Sequence, residues 1–490
     1  MLFSSVTFLY WFLPAVVLLY YCVPRPRGSL LGRNLLLFVA SVVFYAWGEP
    51  LYIVIMLSQA CVGWLSGLLI ERFRARPAAK ALLVASVVVE LSALLVFKYT
   101  DFFVANLNAL LHTELGLLAL ALPLGISFYT FQILSYTIDL YRNKVRVQRN
   151  PLYFATYVTL FPQLVAGPIV RYAHIEAQLT GRRHSLVGFA SGVRRFCVGL
   201  GKKVLIANTL GSLVSVAQDN VTAGTLVAPD GAVLPMGEQS LLFAALFLVA
   251  FSFQIYFDFS GYSDMALGLG RIFGFEFPEN FNYPLAARSL TDFWRRWHMS
   301  MSSWFRDYVY IPLGGNRVGV LRHTTNILIV WMVTGLWHGA GWNFVCWGLF
   351  MAAFLIAEKH FLGRVLARAP AALAHLYLFV LVALSWILFE SPDLGAAGAT
   401  VLALVGAGSA GIAGPVSWYY LCSYAVVLVI AAVGCTSLPA RCIAGITARA
   451  GRPGRLVRAV AEPLMLGALL VIVTAFVVDG SFNPFIYFRF

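Results

Sequence analysis

One histidine, His338, stands in the stretch VTGLWHGAGWNFVCWG (residues 333–348) among tryptophans, glycines and aliphatic side chains. An imidazole there either pins two helices through a hydrogen bond or carries chemistry. An ionisable group inside an apolar span is costly unless paired, so function is the leading reading. With an unperturbed pKa near ~6.5, it suits a general base. Gly335, Gly339 and Gly341 permit close backbone approach or a break in the helix around it.

His298 is the second imidazole, in SLTDFWRRWHMSMSSWFRDYVYIPLGG (289–315). This stretch reads as one amphipathic helix. Leu290, Phe293, Trp294, Trp297, Met301, Trp304, Phe305 and Tyr308 recur at three- and four-residue steps. Asp292, Arg295, Arg296, Ser302, Ser303 and Arg306 fall opposite them, with Met299 an apolar exception on the polar face. Such a helix lies in the membrane plane with its tryptophans at headgroup depth. His298 then projects from the edge of the apolar face, either toward a cavity or into solvating headgroups.

The third constellation is FQIYFDFSGYSDMALGLGRIFGFEFPENFNYP (253–284), which sets Asp258, Ser260, Ser263 and Asp264 at the cytoplasmic end of a span. Carboxylates at such positions pair or line a pathway. Capping and loop bracing, helped by Gly261, is the plainer alternative, and for the serines the preferred one. Arg295 and Arg296 either grip a phosphate-bearing donor or contact anionic lipid. Around the catalytic candidates His338 and His298, the candidate substrate- and donor-channel residues are Tyr256, Asp258, Ser263, Asp264, Asp292, Arg295, Arg296, Trp297 and Trp337. No Asp, Glu or Cys lies at ligand spacing from either histidine, which argues against a metal site. The seven cysteines are scattered with no C-x-x-C pair, so neither a disulfide framework nor a zinc site is supported. There is no G-x-S-x-G elbow, P-loop or glycosidase-like carboxylate pair.

The elements that must position these groups are membrane helices. Of 490 residues, 60% are hydrophobic and only 11% charged, against roughly 25% charged in soluble domains. An all-α polytopic membrane protein follows. Spans are predicted over 6–23, 34–47, 51–70, 81–97, 118–140, 204–218, 240–257, 325–340, 342–358, 372–389, 417–434 and 462–479. The first run, with no basic residues before it and no small-residue cleavage site after it, reads as a retained helix rather than a signal peptide. Residues 151–170 are apolar but flanked by basic residues on both sides. They make a re-entrant dip or an even number of crossings, and Pro162, Gly167 and Pro168 favour the dip. Residues 258–322 form the longest cytoplasmic stretch, and 395–414 is a weak helix or an outside loop.

The net charge of +14 sits in short loops, the pattern of positive-inside topology rather than of a nucleic-acid binder. Segments 48–50, 98–117, 219–239, 390–416 and 480–490 hold only Lys98 and Arg489 of the 35 basic residues. Both termini are therefore predicted outside.

The stretches 254–284 and 292–317, together with TGLWHGAGWNFVCWG, resemble the membrane-bound O-acyltransferase superfamily. The closer similarity is to its bacterial branch of alginate O-acetylation and teichoic-acid D-alanylation membrane proteins. LPLGISFYTFQILSYTIDLYR (122–142), LFPQLVAGPIVR (160–171) and the terminal FIYFRF fit that branch too. The resemblance implies a single domain over 1–490: N-terminal helices (1–150), a core with re-entrant and amphipathic helices and the catalytic site (151–358), and C-terminal helices (359–490). It implies a ring of about 11–13 transmembrane, broken and in-plane helices around a thin central tunnel. His338 matches the family's catalytic histidine, and His298 a supporting position that is His or Asn elsewhere.

The implied reaction moves an acetyl group from a cytoplasmic thioester, acetyl-CoA as donor substrate with no bound cofactor, for O-acetylation of an exported alginate- or cellulose-like polysaccharide. The implied partner is a periplasmic SGNH-type acetyltransferase or another polysaccharide-modifying protein, in contact with membrane lipid. His338 acts as base or as covalent acyl carrier. Asp258, Asp264 or Asp292 is left to orient it. D-alanyl or other acyl transfer to a cell-wall polymer is the alternative. A transporter or export subunit, the rival from another class, leaves the His-centred Gly/Trp motif unexplained.

Overall fold

The computed structural model describes residues 1–165, 167–223, 225–227, 233–235, 240–406, 411–449 and 451–479. Among these, eight helices are long and apolar enough to cross a membrane: Ile53–Arg72, Ala78–Leu111, Leu186–Ala217, Leu241–Ile272, Trp342–Arg368, Ala371–Glu390, Pro415–Gly434 and Ala459–Val478. Phe8–Cys22 and Leu31–Ala46 are shorter apolar helices. The expected helical, multi-pass architecture is present. One antiparallel pair of three-residue strands, Thr225–Val227 with Val233–Pro235, departs from it among the described residues. The chain divides into two compact units, Met1–Val198 with Tyr262–Asn280, and Gly199–Gly261 with Phe281–Phe490.

In the first unit, the helix Ile126–Tyr141 is buried along nearly all its length and packs with Ile53–Arg72 and Ala78–Leu111. Gly67 lies so close to Tyr136 that an added Cβ would come within 2.5 Å of its hydroxyl. Small residues at such crossings let helices approach in lipid, where burial alone gives no drive to associate. The span predicted over 118–140 starts only at Ile126, and the one predicted over 81–97 runs on to Leu111. Asp101 in the added turns accepts from the Leu118 and Ala119 N–H groups (2.8 and 2.9 Å), tying the apolar segment that follows to the end of that helix. Residues 151–170 form two short helices, Pro151–Thr159 and Phe161–Leu164, the first capped by Asn150 Oδ1 (2.9 Å to Leu152 N). Nine residues rise only about 14 Å, about half the hydrocarbon thickness, so neither helix is long enough to cross a membrane by itself.

Two spans are much longer than their hydropathy suggests. The helix predicted over 204–218 begins at Leu186, and the one over 240–257 continues to Ile272. The sequence there is broken by charge, and the charges pair. In the first unit Arg195 holds Asp264 (2.9 Å) and Glu279. In the second unit Lys203, 3% exposed, holds Asp258, 1% exposed, at 2.5 Å. Asp258 and Asp264 thus lie within a helix rather than at its end, and the helix runs beyond 257, the predicted end of the span, to Ile272.

The second unit is built on Val320–His338 packed against Trp342–Ala357, which in turn packs on Ala371–Glu390. A Cβ on Gly335 would collide with the Phe344 carbonyl, and one on Gly348 with the Trp331 carbonyl. These two helices therefore meet backbone to backbone. The predicted amphipathic helix is not continuous. It comprises Leu290–Trp294, a turn, Met299–Phe305 and a π-helical turn Arg306–Tyr310, and the break falls at His298 (φ 43°, ψ 52°). Its tryptophans pack into protein: Trp294, Trp297 and Trp304 are 7%, 2% and 6% exposed.

Breaking a buried ion pair by removing one partner costs about 3–5 kcal/mol, because the other charge is left uncompensated. Lys203→Met and Asp258→Leu are each expected to lower the thermal midpoint strongly. The double variant is expected to recover most of the loss, a non-additivity that a double-mutant cycle measures directly.

Candidate active site

Each histidine ends or begins a helix within the second unit. His338 is the last residue of Val320–His338, and the chain then runs extended through Gly339 and Gly341 before Trp342–Ala357 starts. Glycine is needed at 339 for space rather than for conformation. Its φ of −159° is ordinary extended backbone, whereas a Cβ would overlap the Phe344 ring. The break anticipated around His338 is thus present.

The His338 ring, in a residue 4% exposed, is walled by Trp337 (4.9 Å between centroids), Trp347 (5.1 Å) and Phe389 (5.2 Å). Trp337 also lies 6.1 Å from the His298 ring, so one indole stands beside both imidazoles. His298 is fully buried, with the Phe259 ring edge-on at 4.7 Å and the Ser300 hydroxyl 3.5 Å from Nδ1. Burial pushes its imidazole down to about 3, so it is neutral at physiological pH. Trp297 stacks on Phe293 (5.4 Å, 17°), stands edge-on to Phe281 (5.1 Å) and neighbours Tyr256 (6.2 Å) and Trp386 (5.5 Å). Of the sequence candidates, His298, Trp337 and His338 therefore form one aromatic-walled group, with Tyr256 and Trp297 in the adjoining cluster.

The carboxylates are committed elsewhere. Asp258 holds Lys203, Asp264 holds Arg195 in the first unit, and Asp292 holds Arg296 (3.0 Å) one helical turn along. Ser263 is buried within the first unit. The two arginines separate in role: Arg296 pairs with Asp292, while Arg295 lines a cavity of about 660 Å³. Arg306, which also holds Asp307 (2.7 Å), and Lys359 line it too, with Ser302, Trp331 and Thr334. Three cations in one cavity suit a phosphate-bearing ligand.

Several contributors carried no signal in the sequence. Phe389 and Trp386 sit in an ordinary apolar span. Glu358 reads as an interfacial charge, yet it is 6% exposed and accepts from Leu290 N (2.6 Å), Thr291 N (2.8 Å), Thr291 Oγ1 (2.7 Å) and Tyr377 Oη (3.2 Å). It thereby fixes the start of the short helix that leads to His298.

The model of the membrane-bound O-acyltransferase family matches residues 143–389, about half the chain and the part that contains both histidines. Over 402 residues, 80% of this chain and 73% of the relative, the sequence is 40% identical to "Probable alginate O-acetylase" of Pseudomonas aeruginosa. The chain belongs to the membrane-bound O-acyltransferase family. It is also 33% identical over 436 residues to the peptidoglycan O-acetyltransferase of Helicobacter pylori, covering 83% of this chain and 80% of the relative. Similarity to the teichoic acid D-alanyltransferase of Bacillus subtilis is 28% over 251 residues, 49% of this chain and 59% of that protein. This membrane-bound O-acyltransferase is therefore an acyltransferase enzyme, and its aromatic-walled histidines lie in the family's matched segment.

Because His298 is held neutral, protonation opposes folding. Its contribution is fully present above its ordinary pKa of about 6.5 and is lost as pH falls toward about 3. The thermal midpoint is expected to drop through that window. His298→Asn, which tolerates positive φ, is expected to flatten the drop, whereas His298→Val, β-branched at φ 43°, is expected to destabilise at every pH.

Proposed function

We propose that the protein transfers an acetyl group from a cytoplasmic thioester, acetyl-CoA, for O-acetylation of an exported polysaccharide, with His338 as general base. The supporting observation is the position of Thr334, which lines the cation-bearing cavity and precedes His338 by one turn of the same helix. Four residues rise about 6 Å, so a thioester arm entering past Arg295, Arg306 and Lys359 has a short path to the imidazole. Phosphates of the donor would pair with those cations.

In the reaction, His338 takes the proton of the acceptor hydroxyl as the oxygen attacks the thioester carbonyl. The C–S bond then breaks and the imidazolium returns its proton to the departing thiolate. The carboxyl end of the helix macrodipole faces the imidazole, which favours the positive charge formed on it. The neutral His298 can exchange a hydrogen bond with reactants without adding charge. The acceptor class follows the relatives at 33–40% identity, which are named for alginate and peptidoglycan O-acetylation. The basic loops would face the cytoplasm and both termini the periplasm, where a partner acetyltransferase would receive or deliver the acyl group.

Labelled acetyl-CoA given to membranes carrying His338→Ala is expected to show transfer reduced by about 10²–10⁴, with insertion and thermal midpoint retained. Undiminished transfer would contradict the assignment. Arg295→Gln combined with Lys359→Gln is expected to raise KM for the donor while leaving kcat nearly unchanged, which separates donor binding from chemistry.

A further inference from the structure

The first unit contains a cluster of arginines that the acyl-transfer chemistry does not involve. Two of its arginines are buried, Arg182 at 2% and Arg33 at 8% exposure. Arg182 donates to Tyr20 Oη (3.2 Å), Asn34 Oδ1 (2.7 Å) and the Gln178 carbonyl (3.0 Å), and its guanidinium lies 4.1 Å over the Phe275 ring. Arg33 donates to the Val23 carbonyl (3.4 Å) and lies over the Tyr20 and Tyr21 rings, at 5.0 and 5.6 Å. Every one of these acceptors is neutral. Among the described residues, no ion pair is made by Arg25, Arg27, Arg33, Arg182 or Arg183. A buried guanidinium without a counter-ion is expensive, and this group leaves its positive charge unneutralised by protein.

His184 lies next to them. Its Nε2 is 2.8 Å from Tyr20 Oη, and Tyr20 spends its own proton on the Phe273 carbonyl (2.8 Å). Tyr20 oxygen must therefore accept, and His184 Nε2 carries the hydrogen. Burial first, and then the charges of Arg33, Arg182 and Arg25, hold this imidazole at about 4, so it adds no charge of its own. His184 forms one wall of a cavity of about 330 Å³, together with Tyr21, Ser185, Leu186 and Phe189. Leu186 and Val187, which open a membrane-spanning helix, are 88% and 81% exposed. An apolar wall beside uncompensated guanidiniums at the end of a spanning helix matches the two halves of a phospholipid: acyl chain and phosphate.

We propose that this cavity binds the phosphodiester headgroup of an anionic membrane lipid, with the acyl chains running along Leu186, Val187 and Phe189. The lipid phosphate supplies the counter-ion that none of the described residues provides there.

The test uses the full chain in nanodiscs of phosphatidylglycerol or of phosphatidylcholine, followed by native mass spectrometry. Wild type is expected to retain one phosphatidylglycerol and to prefer it about tenfold over phosphatidylcholine. Arg33→Gln is expected to remove that preference. Arg25→Gln with Arg183→Gln, both at exposed positions, is expected to weaken it several-fold with an unchanged thermal midpoint. This second variant keeps the test decisive if Arg33→Gln does not fold. Arg364→Gln, in the second unit, is expected to change nothing. Equal retention of both lipids, or full preference in the Arg25/Arg183 variant, would overturn the proposal. So would inorganic phosphate that raises the thermal midpoint as much as phosphatidylglycerol does, because it would reassign the site to a free anion.

Discussion

Gly335 and Gly348 let two helices approach until the backbone of one rests on the backbone of the other. Everything at the candidate site depends on that approach. It leaves no room for a continuous helix past His338, where Gly339 must give way to the Phe344 ring. The imidazole is consequently left at a helix end, in a box made by Trp337, Trp347 and Phe389. In lipid, where apolar burial does not drive helices together, close packing of small residues is the force available for holding such a geometry.

Charge serves a different purpose in this protein. The carboxylates that the sequence offers as channel candidates, Asp258, Asp264 and Asp292, are each held in an ion pair. Asp258 and Asp264 let the helix Leu241–Ile272 stay long because Lys203 and Arg195 neutralise them. Glu358 is spent on the N–H groups of Leu290 and Thr291. Apart from these pairs stand two imidazoles sharing Trp337, and a separate set of cations on the cavity lined by Arg295, Arg306 and Lys359. In the proposed reaction, charge that recognises the donor and groups that move protons are thus kept apart.

The sequence makes His338 legible because one polar residue among apolar ones is a local signal, and so are the glycines that break its helix. The multi-pass fold was equally plain from composition. The lengths of the charged helices were not, since Lys203 and Asp258 are far apart in the chain and each alone reads as the end of a span. His298 shows a related limit. A three-to-four-residue period describes side-chain faces, but it carries no sign that the backbone turns left-handed at one residue. Trp347, Phe389 and Phe259 line the imidazoles from ordinary apolar runs, so only their spatial meeting distinguishes them.

In the proposed reaction a donor entering from the side of the basic loops reaches His338. Oriented proteoliposomes supplied with labelled acetyl-CoA on one face at a time test it most directly. Label should leave the donor only when acetyl-CoA is on the face bearing the Arg25–Arg33 and Arg72–Arg76 loops. Consumption only from the opposite face would contradict both the topology and the proposed path to the imidazole.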